Sequence, residues 1–138
     1  MSVAHLIEAL EGEHVELSVT VKGKLRIVSN QDFLQSSAFG QLKNHKVQVV
    51  NHLNHEQAER LICSLKLHDD RVFIRQKLIG IYGTKRLDIV KEYFKQWRLG
   101  VEAEPVEIKQ ENAGRYRANF WIREANFNLL TAEEFCND

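Results

Sequence analysis

Proline occurs once and cysteine twice in these 138 residues. With a single proline and no stretch rich in Gly, Ser or Pro, a polyproline spacer and a flexible internal linker are both excluded. Two cysteines are too few for the disulfide framework of a small secreted domain. Cys63 falls in an apolar helical pattern and reads as a small buried hydrophobe. Cys136 lies two residues from the end of the sequence. No apolar run approaches the ~18 residues needed to span a bilayer. The opening MSVAHLIEALEGEH is too short and too acidic for a signal peptide, so a cytoplasmic protein with no membrane partner is expected. Intact catalytic signatures are also missing: there is no G-x-S-x-G, Walker loop, G-x-G-x-x-G or C-x-x-C. That absence directs the reading toward a binding protein rather than an enzyme, with no cofactor.

Net charge is zero, with 19 basic and 19 acidic side chains, but the charge is unevenly spread. Between Arg71 and Arg98 stand Arg71, Arg75, Lys77, Lys85, Arg86, Lys91, Lys95 and Arg98, opposed only by Asp88 and Glu92. The same stretch carries Phe73, Tyr82, Tyr93, Phe94 and Trp97. Cations interleaved with aromatics suit a polyanion-facing surface. Glu8, Glu11, Glu13 and Glu16 form an acidic counterpart near the start.

Hydrophobic periodicity supplies the fold. Ser2 can cap a helix with Val3, Leu6, Ile7 and Leu10 on one face and Gly12 at its end. Val15, Leu17, Val19 and Val21 alternate with polar residues, Gly23 permits a turn, and Leu25, Ile27 and Val28 form the returning strand of a first hairpin. Ser29 or Asn30 opens a weak helix through Leu34, Ala38 and Leu42, and Lys46 to Val50 reads as a short strand. Asn54 with Gln57 fits a capping box for a helix over 54–67. The stretch 70–82 fits a helix or a strand, the strand slightly better because it is β-branched and aromatic. Over 84–99, Leu87, Val90, Phe94 and Trp97 mark one helical face, ended by Gly100. After Pro105 a second hairpin is expected over 105–123, turning at Asn112-Ala113-Gly114. Thr131 to Glu134 fits a capping box for a terminal helix. The result is an α+β class: one domain over 1–138, two antiparallel hairpins with short strands, and three or four amphipathic helices.

Three groups of residues carry candidate chemistry. On the 84–99 helix, Lys91, Lys95 and Arg98 fall within a narrow arc and could meet successive phosphates. The alternative is a solvated face, with Asp88 and Glu92 pairing Lys91 and Lys95. On the expected second hairpin, Arg115, Arg117, Asn119, Trp121 and Arg123 would face outward, the arginines offering forked donors and Trp121 a stacking surface. Helix and hairpin together would resemble a winged helix-turn-helix if 70–81 were helical, although Arg86 falls where that motif expects an apolar residue. Third, His45, His52 and His55, with Glu56 or Glu59, have ligand chemistry suited to Zn²⁺ but no defined spacing, so no metal site is assigned.

The expected function is therefore a small non-enzymatic nucleic-acid-binding protein using Lys91, Lys95, Arg98, Arg115, Arg117 and Trp121. One alternative is an adaptor or inhibitor that binds an acidic protein partner, or forms a homo-oligomer by joining acidic and basic patches. A third reading is a metal-dependent hydrolase at the histidine cluster.

Overall fold

A computed structural model describes residues 2–125. The elements run α1 (Val3–Gly12), β1 (Glu16–Val19), β2 (Leu25–Val28), a 3₁₀ turn (Gln31–Gln35), α2 (Ser37–Asn44), α3 (Lys46–Cys63), α4 (His68–Lys77), α5 (Gly83–Ala103), a 3₁₀ turn (Glu107–Lys109) and α6 (Gln110–Glu124). The described residues are thus mostly helical, with one two-stranded antiparallel sheet. None of these helices is long and apolar enough to cross a membrane. Two compact units are present, one up to Glu56 and one from Gln57 onward.

The first unit follows the sequence pattern closely through α1 and the hairpin. Ser2 Oγ accepts the His5 N–H at 3.2 Å, capping α1, and Leu6, Ile7 and Leu10 are buried. The hairpin pairs Glu16 with Val28 and Val19 with Leu25. Its turn is closed by the Gly23 N–H donating to Thr20 O at 2.8 Å, with Gly23 at φ 82°, a left-handed conformation suited to glycine. Val21 belongs to this turn and is fully exposed, so the strand is one alternation shorter than its pattern. Leu6, Ile7, Leu10, Val15, Phe33, Leu42 and Val49 form the core. The expected helix through Leu34 and Leu42 is split: Asn30 caps the 3₁₀ turn and Ser36 caps α2.

Two expectations fail between residues 46 and 82. Lys46 to Val50 is the first turn and a half of α3, not a strand, and Asn54 is buried in mid-helix rather than capping one. Val49 enters the first core and Ala58 and Ile62 enter the second, so a helical period of burial overrides the local β-preference of the valines. The stretch 70–82 is helical up to Lys77. Ile74, Leu78 and Ile81 are all but fully buried, and Gly80 at φ 84° turns the chain toward α5.

The largest correction is the second hairpin. Residues 110–124 form α6, which runs back along α5: Gly100 meets Gly114, and Tyr93 meets Asn119. Gly114 is not a turn residue but the point of closest helix approach. A Cβ there would lie 2.7 Å from Trp97 Cδ1 and 2.7 Å from Trp97 O. Gly114, Ala118 and Ile122 recur every four residues, and all three are buried. Gly100 does not end α5 either; the helix continues to Ala103. With no β-wing, the winged helix-turn-helix arrangement is not formed. The Thr131 to Glu134 capping box and Cys136 lie outside the described residues.

Candidate functional site

Three of the eight cations in the basic block, Arg71, Arg75 and Arg86, serve as internal wiring. Arg71 Nη1 donates to Leu65 O at 2.7 Å, and Lys77 lies 5.6 Å from the centroid of the Phe73 ring. Arg86 is 8% exposed; its Nη1 donates to Leu78 O at 3.2 Å and Ile81 O at 3.1 Å, and its Nη2 to Glu59 Oε1 at 2.6 Å. Arg75 Nε reaches the other Glu59 oxygen at 3.3 Å. Burial alone would raise the Glu59 carboxyl, but the guanidiniums of Arg86 and Arg75 outweigh it and hold the group below its ordinary range. Arg75 Nη2 also donates to Cys63 Sγ at 3.4 Å, and Cys63 is exposed rather than buried.

On α5, Lys91 and Lys95 are exposed and bear no hydrogen bond or ion pair among the described residues. The local pairing that the alternative reading allowed does not form among the described residues; Glu92 accepts from Gln96 Nε2 at 2.9 Å instead. Arg98 is exposed and approaches Glu102 at 3.8 Å. At about 100° per residue, these three cations lie about 140–180° around α5 from Gly100. They are therefore turned away from α6, which packs on Gly100.

Helical geometry also redistributes α6. Arg115 faces inward: its Nε donates to both oxygens of Asp70, at 2.8 and 2.9 Å, and Asp70 is 2% exposed. Asn119 Nδ2 donates to Asp70 Oδ1 at 3.4 Å, and Tyr93 donates its phenolic proton to Asn119 Oδ1. Trp121 is half-buried and packs against the core, so it is not the exposed stacking surface expected. Arg117 remains outside, donating to Gln96 Oε1 at 3.0 Å.

Two residues missed by the sequence reading take the outward face. Tyr116 is 71% exposed and Phe120 48%. Their rings stack with centroids 6.3 Å apart and an interplanar angle of 19°. The Arg123 guanidinium lies 5.7 Å from the Phe120 centroid. A strand period had placed these aromatics inside; the four-residue recurrence of Gly114, Ala118 and Ile122 is the signal that puts them outside.

Tyr93 is fully buried. Burial first, and the Asp70 carboxylate second, push its phenol far above its ordinary value, with Arg115 opposing. The unfolded chain loses this proton first, so the Tyr93 contribution is intact below about pH 10 and is lost as pH rises beyond it. Spectrophotometric titration should show one phenol that ionises only on alkaline unfolding. Tyr93→Phe should remove that signal and cost about 1 kcal/mol near neutrality.

The histidines do not assemble a ligand set. His45 ends α2, while His52 Nε2 sits 3.0 Å from Glu56 Oε1 on α3. Among the described residues no group of three or more His, Cys, Asp or Glu side chains is placed to hold a metal. No family model, curated protein or solved structure matches this chain.

Proposed function

We propose that the unit beginning at Gln57 binds single-stranded nucleic acid through the outward face of α6. The observation that carries this reading is the exposed, stacked Tyr116–Phe120 pair flanked by the Arg123 guanidinium. Aromatic faces stack on unpaired bases without regard to sequence, and Arg117 and Arg123 supply phosphate contacts. The stretch from Gln57 to Asp138 holds fourteen basic and thirteen acidic side chains, so attraction of a polyanion rests on the local field of the exposed cations rather than on net charge. Lys91 and Lys95, on the far side of α5, add to that field without sharing the stacking face. Arg115 and Trp121 leave the proposed contact set because both are engaged in packing the fold.

Fluorescence anisotropy with short single- and double-stranded DNA and RNA at two salt concentrations tests the proposal. Single strands should bind more tightly, and binding should weaken as salt rises. Each of Tyr116→Ala and Phe120→Ala should lower affinity about tenfold, from about 1–3 kcal/mol of stacking per base. Lys91→Ala with Lys95→Ala should reduce binding modestly and equally for every sequence. Wild-type affinity in the Tyr116→Ala, Phe120→Ala double variant would remove α6 from the interface.

The adaptor reading also has one specific support. Ile108 is 88% exposed and Val106 44%, so the approach to α6 displays aliphatic as well as aromatic surface, as a protein-docking helix does. No nucleic-acid binding at low salt, together with salt-weakened self-association, would favour that reading.

A further inference from the structure

A cleft of about 750 Å³ in the unit beginning at Gln57 takes no part in the proposed nucleic-acid face. Phe94 and Trp97 of α5 supply its aromatic wall, and Asp70, Arg115, Glu107 and Glu111 are among its polar lining. That size suits a small organic ligand. The wall is fixed in place: Gly114 lets α6 approach so closely that any Cβ there would strike the Trp97 indole, at 2.7 Å. A ring held in this way loses little freedom when a ligand settles on it.

Charge selects the class of ligand. Asp70 and Arg115 neutralise one another through the hydrogen bonds at 2.8 and 2.9 Å. Lys66 at the rim pairs with Glu111 at 3.7 Å. Glu107 has no side-chain partner among the described residues, so the lining, which includes two aromatic rings, keeps one uncompensated negative charge. The face of an aromatic ring attracts cations. An anion would face both the ring quadrupole and the Glu107 carboxylate.

We propose that this cleft is a binding site for an organic cation, a substituted ammonium or a guanidinium, seated against Trp97 and neutralised by Glu107. The site goes beyond the nucleic-acid reading and does not depend on it.

The test uses the full chain and two probes of similar size and opposite charge, benzyltrimethylammonium and benzoate. The chain has two tryptophans, and Trp121 does not line the cleft, so its indole N–H signal in a nitrogen–proton correlation spectrum is an internal control. Benzyltrimethylammonium should shift the Trp97 indole signal saturably with low-millimolar affinity and leave Trp121 unmoved. Benzoate should bind about tenfold more weakly. Glu107→Lys, at an exposed position, should lower affinity for the ammonium probe about tenfold with the same melting temperature. Benzoate binding as tightly as the ammonium, no saturable shift at Trp97, or full binding by the Glu107→Lys variant would each overturn the assignment.

Discussion

Replacing Arg115 by methionine is expected to cost about 3 kcal/mol of stability, the low end of the loss for a buried ion pair, since of the two partners only Asp70 is buried. Methionine keeps much of the aliphatic stem but withdraws the N–H that donates to both oxygens of Asp70. Asp70 is 2% exposed, and among the described residues its one other side-chain hydrogen bond is the longer contact from Asn119 at 3.4 Å. A carboxylate so placed recovers only the part of its hydration that the cleft it lines can supply. The Arg115 side chain, by contrast, is 39% exposed and keeps access to water, so Asp70→Leu is expected to cost less, about 2 kcal/mol. Combining the two substitutions should recover most of the loss, because no unpaired charge then remains buried. Urea denaturation of the two single variants and the double variant measures all three quantities. Equal stability in Arg115→Met and wild type would mean that the pair contributes nothing to holding α4 against α6.

Gly114→Ala is expected to destabilise by about 2 kcal/mol, although helix propensity alone would favour alanine by about 1 kcal/mol. The added methyl would lie 2.7 Å from both Trp97 Cδ1 and Trp97 O, and 2.8 Å from Val101 Cγ2. The carbonyl belongs to the α5 backbone, so relief requires the two helices to move apart. Gly100→Ala should behave alike, since its Cβ would meet Ala113 O at 2.7 Å and the Gly114 Cα at 2.8 Å. Gly40 is the control: it is exposed in α2 with nothing within 4 Å, and Gly40→Ala should gain up to about 1 kcal/mol. Thermal melts of the three variants should therefore differ in sign. A stabilised Gly114→Ala would contradict the close seam.

The parts of the fold legible in the sequence are those where local chemistry and burial agree. α1 has its serine cap and apolar face, the first hairpin has its alternation and Gly23, and α5 has a long apolar stripe. α6 was misread because Asn112-Ala113-Gly114 resembles a hairpin turn and Tyr116 to Ile122 alternates in polarity. What decides the matter is a contact 14 residues away in sequence, Gly100 against Gly114, which local pattern cannot express. Exchanging period 2 for period 3.6 moved Arg115 inward and Phe120 outward, and so changed the candidate site more than it changed the fold class. Lys91, Lys95 and Arg98 were placed on an exposed arc correctly, since helix periodicity fixed their direction. The internal roles of Arg71, Arg75 and Arg86 were not legible, because their acceptors are backbone carbonyls and a glutamate from other elements.

Arg86 appeared in the sequence as a flaw in an apolar pattern, yet it binds Glu59 of α3 and the carbonyls that follow α4 while rooted in α5. One guanidinium therefore ties together three successive parts of the chain: its own helix and the two that hold its acceptors. Opening any one of them to solvent leaves the Arg86 guanidinium or the Glu59 carboxylate short of a partner. The amides of α3 beyond Gln57, of α4 and of the first turns of α5 should consequently exchange with deuterium as a single cooperative group rather than fraying helix by helix.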